Sequence, residues 1–174
     1  STDVIDAKCW QADIEADAII SDSPDTVCTV MTADCLPLLI TDKSGSQVAS
    51  VHAGWRGLKN GIIENTLARF KAPSSDIIVW LGPAIGPQAF EVGPEVKAGF
   101  VAMDAAAELA FISTHSDRYL ADIYLLARQR LIAQGVTAIY GGDNCTFTEK
   151  QRFFSFRRDG VTGRMATLIW IAAE

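Results

Sequence analysis

The stretch MTADCLPLLITDKSGSQVASVHAGWRG, residues 31–57, decides how this chain is read. "LPLLI" and "VASVHA" are apolar runs on either side of "TDKSGSQ", whose Asp, Lys, Ser and Gly favour turns, so the segment reads as a β-hairpin. A two-residue turn at "DKSG" faces Asp42 with Gly45, and that register sets Cys35 opposite His52. Directly opposed residues of an antiparallel pair have Cβ atoms about 4.5–5.5 Å apart and share a face. Pro37 works against regular pairing here, because proline removes a ladder donor and favours an edge or bulge.

Outward from the hairpin, "TVCTVMTAD" has the β-branched composition of a strand and follows the turn-like "SDSPD". Residues 58–70 carry Leu58, Ile62, Leu67 and Phe70 near helical spacing, with Pro73 beyond the end. "IIVWLG" reads as a buried strand broken by "GPAIGP". A short helix is expected over "PEVKAGFVAM", where Pro94 suits a first turn. The longest helix is expected over "RYLADIYLLARQRLIAQ", with Leu120, Ile123, Tyr124, Ala127 and Leu131 on one face and Gly135 as its stop. "VTAIYG" returns to a strand, and "FFSFRR" with "RMATLIWIA" around "DGVTG" predicts a closing hairpin. Strands and helices interleave without strict alternation. The expected fold is α/β (α+β), a single layered domain with a mixed β-sheet and flanking helices.

The totals agree with one domain over residues 1–174, since this length supports one substantial core. Hydrophobic residues at 49% and charged residues at 21% place the chain among folded globular proteins. A formal charge of −6 argues against a nucleic-acid partner, whose phosphates need lysine and arginine. Apolar runs such as "TLIWIAA" are short of a membrane span and no charged-then-apolar leader opens the chain, so a cytoplasmic location is expected. Cys9, Cys28, Cys35 and Cys145 show no Cys-x-x-Cys spacing and read as reduced thiols.

The thiol of Cys35 and the imidazole of His52 are a donor pair that suits zinc. A catalytic zinc usually takes three protein ligands, and the only other histidine, His115, lies in the loop-like "STHSDRY". The competing reading is a core cysteine, because cysteine is among the residue types most often buried. Gly54 and Gly57 around "AGWRG" allow close backbone approach. Arg56, just before the helix expected from Leu58, suits a phosphate or carboxylate, or else stacks on Trp55. In "GGDNCTF", Gly141 and Gly142 present Asp143 and Cys145 on a loop. Arg157 and Arg158 point to opposite faces if their strand persists.

"TADCLPLLI", "VHAGWRG", "WLGPAIGPQAFEVG", "YLADIY", "GGDNCTF" and "FFSFRRD…TGRMA" together resemble the YfiH family, long labelled laccase-domain or multicopper polyphenol oxidase proteins. The resemblance runs over nearly the whole chain, with several motifs in order. It implies a purine nucleoside phosphorylase that also deaminates adenosine and cleaves methylthioadenosine, around a zinc bound by one cysteine and two histidines. By motif, Cys35 and His52 are two of those metal ligands. The third is expected in a "QVH" motif immediately ahead of "STDV", so residues 1–174 are expected to be the C-terminal portion of a longer chain. His115 does not match that ligand by position.

On this reading Asp34 is the nearest carboxylate for proton shuttling, and Arg56 and Arg157 are the groups for phosphate. The substrates implied are a purine nucleoside and phosphate, and a second copy of the chain is the one protein partner entertained. Copper is the alternative metal, after the family's older label, although a multicopper cluster needs more imidazoles than two histidines supply. A module that binds nucleosides or cell-wall precursors without turnover is the remaining alternative, with Trp55, Phe90, Phe154 and Phe156 as aromatic contacts.

Overall fold

The computed structural model describes residues 1–173. The chain opens with β1 (Val4–Asp6), β2 (Ala18–Ser21), β3 (Cys28–Thr32), β4 (Leu36–Asp42) and β5 (Val48–Ala53). Helices α1 (Trp55–Lys59) and α2 (Ile62–Leu67) lead into β6 (Ile77–Leu81), β7 (Glu91–Val92) and α3 (Pro94–Val101). The last third comprises β8 (Phe111–Ser113), β9 (Tyr119–Ala121), α4 (Ile123–Ala133), β10 (Ala138–Gly141), α5 (Phe156–Asp159) and β11 (Met165–Ile169).

A six-stranded mixed sheet, ordered β1-β2-β5-β4-β6-β10, forms the centre, as the sequence led us to expect. Along β4, Leu36, Leu38 and Ile40 alternate onto one face, and Ala49, Val51 and Ala53 of β5 join them. Helices α1, α2 and α4 cover that face with Leu58, Ile62, Ile63, Ala127 and Leu131. Each fully buried Leu or Ile contributes about 1.5–3 kcal/mol, so this alternation fixes which way every other residue points. The opposite face receives a two-stranded ribbon in which β11 pairs antiparallel with β3. A third sheet, β7-β9-β8, lies apart from both.

Four expectations need correction. The β4–β5 hairpin closes through four residues rather than two: Asp42 N–H donates to the Gln47 carbonyl, and the register puts Pro37, not Cys35, opposite His52. The cause is Asp42 itself, whose carboxylate accepts from the backbone N–H groups of Ser46 at 2.7 Å and Gln47 at 2.9 Å and from the hydroxyls of Ser44 and Ser46. Residues 58–70 are not one helix, because Gly61 at φ 97° breaks the run between α1 and α2. Within "RYLADIYLLARQRLIAQ", Tyr119–Ala121 is strand, and the helix starts only after Asp122 caps the Leu125 N–H. "FFSFRR" is no strand: Ser155 caps a helical turn, and β11 finds its partner in the distant β3.

Candidate functional site

Cys35 and His52 meet even though they are not register partners. Pro37 stands opposite His52, so continuing the ladder sets Cys35 opposite Gly54 and leaves it diagonal to His52 on the same face. Gly54 supplies the room. A Cβ placed there would lie 3.2 Å from Cys35 Sγ, 3.3 Å from His52 Cε1 and 3.4 Å from His52 Nε2. Thiol and imidazole therefore border one small volume that only glycine leaves open.

A third side chain, not singled out from sequence, completes this arrangement. Asp17 continues the β2–β5 register one step beyond Ala18 and Val51, which sets it directly across from His52. Its Oδ1 lies 2.8 Å from His52 Nδ1, and its backbone carbonyl accepts the His52 N–H at 2.6 Å. With Nδ1 engaged by the carboxylate, Nε2 is the nitrogen turned towards Cys35. The hydrogen bond between Cys35 and the ring, together with the Asp17 carboxylate, outweighs burial and raises the His52 pKa to about 9, so ligation through Nε2 would have to displace that proton. The backbone nitrogen of Ser1 lies 3.0 Å from Asp17 Oδ2, so the first residue rests against the same cluster.

The donor set fits zinc in part. A thiolate sulfur and an imidazole nitrogen with a carboxylate behind it are typical of zinc sites. Among the described residues, no third His, Cys, Asp or Glu stands close enough to complete a group of three. His115 does not fill that place, since it occupies the exposed connection between β8 and β9. A cavity of about 360 Å³ opens beside His52, lined by Asp17, Ser50, Ile19, Met31 and Trp10 among others, within the usual range for small-molecule sites.

Asp34 adopts a positive φ of 87°, which an Asp side chain tolerates better than most. Both carboxylate oxygens are already engaged: Oδ1 accepts from the Thr146 hydroxyl at 2.7 Å and Oδ2 from the Arg157 backbone N–H at 2.6 Å. Its carbonyl accepts the Ile85 N–H at 2.9 Å. Asp34, put forward from sequence as the nearest carboxylate for proton shuttling, is thereby tied into the fold and fastens α5 to the start of β4.

Arg56 is the second residue of α1 rather than a residue ahead of a helix, and its guanidinium lies 4.5 Å from the Trp55 ring centroid. Arg157 is exposed, donates through Nη1 to the Glu91 carbonyl at 2.9 Å and sits 5.7 Å from the Phe90 ring. Its neighbour Arg158 turns inward onto the carbonyls of Thr146, Phe147 and Phe153 and braces the loop. Cys145, half-buried, accepts the Gly86 N–H at 3.2 Å and so ties the "GGDNCTF" and "GPAIGP" loops together. No helix among the described residues is long and apolar enough to cross a membrane.

Comparison with known proteins gives these arrangements a context. The family described as "Multi-copper polyphenol oxidoreductase laccase" matches residues 1–172. A Shigella flexneri protein named purine nucleoside phosphorylase YfiH is 60% identical over 156 residues, covering 90% of this chain and 64% of that protein. Its Escherichia coli K12 namesake is 59% identical over the same length and coverage. The chain thus spans just under two thirds of those two relatives. The crystal structure of a Neisseria meningitidis protein superposes with a TM-score of 0.97 at 47% identity, covering 99% of this chain and 72% of that one. A Bacillus licheniformis hypothetical protein YfiH gives 0.84 at 30% identity, covering 90% and 61%.

Proposed function

The chain belongs to the multi-copper polyphenol oxidoreductase laccase family, and from that premise we propose that it carries the site of a zinc-dependent purine nucleoside phosphorylase. The names of its relatives support the reaction class. One observation carries the site: Cys35 Sγ and His52 Nε2 border the same space over Gly54, with Asp17 fixed on the far nitrogen of the ring. Deamination of adenosine and cleavage of methylthioadenosine belong to the same proposal, since all three reactions use one purine nucleoside pocket.

Bound by Cys35 and His52, zinc would supply a Lewis acid that stabilises developing negative charge. The rest of the work falls to the chain. Asp17 holds the imidazole so that Nε2 faces Cys35. Arg157, steadied by the Glu91 carbonyl and the Phe90 ring, keeps N–H groups for phosphate, and Arg56 on Trp55 offers a second guanidinium. Asp34 positions Arg157 by gripping its backbone N–H.

The family's descriptive name points to copper oxidation of phenols instead. Only His52 of the two histidines reaches the cluster, and imidazole is the ligand that copper sites favour, so a multicopper centre is disfavoured. The deciding experiment measures bound zinc by mass spectrometry and ribose 1-phosphate formation from inosine and phosphate in the wild type, Cys35→Ala and His52→Ala. Zinc and turnover are expected to fall together in both variants. Unchanged zinc content and unchanged turnover in both would reject the proposal, and nucleoside binding without any turnover would favour the binding module.

A further inference from the structure

Charge is divided unevenly along this chain, and the division is self-complementary. Residues 1–25 hold seven carboxylates and one lysine, a net −6, whereas residues 150–164 hold five cationic side chains and one carboxylate, a net +4. The second segment wraps an open groove of about 760 Å³, lined by Lys150, Arg152, Phe153, Phe154, Arg158 and Val161 among others. A Cβ on Gly163 would lie 2.9 Å from the Phe154 ring, so that ring is seated on the loop that closes the groove. Phe154 is nevertheless 49% exposed and Val161 98%. Arg152 is engaged by Glu149 and Arg158 by Asp159. Lys150 is exposed and forms no ion pair among the described residues. Arg164, also exposed, donates to the carbonyls of Thr162 and Gly163 at 3.1 Å and meets no described carboxylate.

The acidic segment carries a matching projection. Ile14 N–H donates to the Gln11 carbonyl at 3.4 Å and Asp13 takes a φ of 79°, so residues 10–15 fold around a tight turn. Asp13 and Glu15 are exposed and form no ion pair among the described residues. Trp10 and Ile14 beside them are 64% and 41% exposed. Turn and groove thus share a pattern of opposite sign: carboxylates among large apolar side chains on one, cations among aromatic and aliphatic ones on the other. No described residue of the turn lines the groove of its own chain.

We infer that the turn at residues 10–15 of one copy docks in the groove of a second copy, with Asp13 and Glu15 facing Lys150 and Arg164 and with Trp10 and Ile14 against Phe154 and Val161. The exchange is reciprocal, so two such contacts close a dimer. Repulsion between two chains of charge −6 is screened beyond about 8 Å at physiological salt, whereas the opposed groups at the contact lie closer than that. Complementary charge fixes partner and register, and the apolar side chains supply the burial.

Analytical ultracentrifugation under reducing conditions, which keep the exposed Cys9 from cross-linking copies, tests this. The wild type is expected to sediment as a concentration-dependent dimer. Asp13→Lys combined with Glu15→Lys, and separately Lys150→Glu combined with Arg164→Glu, should each raise the dissociation constant by about tenfold or more, because like charges then oppose each other. Mixed in equal amounts, the two double variants should form a heterodimer as tight as the wild-type dimer, a rescue that misfolded chains could not give. The inference is overturned by a wild type that stays monomeric at every concentration reached, by a dimer that both double variants retain, or by double variants that fail to associate when mixed.

Discussion

Asp17 and His52 stand directly across from each other at the end of the β2–β5 ladder, with Oδ1 2.8 Å from Nδ1. The contact fixes the ring by one side-chain bond and one backbone bond, the latter at 2.6 Å. A carboxylate behind a ligating imidazole typically governs metal affinity by about 10–100-fold. Asp17→Ala should therefore weaken zinc binding by that factor while far-UV circular dichroism stays unchanged. Competition against a chromophoric chelator measures it, and equal affinity in wild type and variant would remove Asp17 from the site.

Gly54 gives a sharper separation of site from scaffold. Its φ of −62° is open to any residue, so alanine there brings no backbone strain. The added methyl would lie 3.2 Å from Cys35 Sγ and 3.3 Å from His52 Cε1. Gly54→Ala is expected to abolish stoichiometric zinc binding and leave the thermal midpoint within a few degrees. A variant that binds zinc as the wild type does would show that the metal sits elsewhere.

The strands around residues 31–57 were legible because alternation and β-branching survive in any register. Register was not, since it depends on how the Asp42 carboxylate closes the turn, a tertiary detail outside turn propensity. Cys35 and His52 still share a face because a shift by two residues preserves side-chain parity. Asp17 was invisible, lying 35 positions from its partner with no local motif beyond a carboxylate before an apolar strand. The "FFSFRR" aromatics misled because their alternation resembles a strand, whereas Ser155 capping the Arg158 N–H turns the chain into a helix.

Asp34 joins three segments through two side-chain oxygens and one carbonyl, so its loss should be felt at α5. Asp34→Ala leaves the buried Thr146 hydroxyl and the Arg157 N–H without their acceptor, at a cost of about 1–3 kcal/mol for each group left unpaired. Chemical denaturation should register that loss. Amide hydrogen exchange should show faster exchange confined first to Arg157 and its neighbours. Phosphorolysis, if Arg157 serves phosphate, should show a raised KM for phosphate with a smaller change in kcat.

Asp42 makes acid stability testable apart from the metal cluster. Burial raises its pKa, but hydrogen bonds from Ser44, Gln47 and Ser46 prevail and hold it at about 2, below the ordinary value of about 3.9. A carboxyl depressed on folding stabilises the native state fully above its unfolded pKa, and that contribution fades as pH falls towards the folded one. Asp42→Asn should thus be markedly less stable than wild type near neutral pH. The gap should narrow between about pH 4 and pH 2, as the wild-type carboxylate takes up its proton. Denaturant titrations at several pH values across that window measure the gap, and a constant difference would show that the turn is held by shape alone.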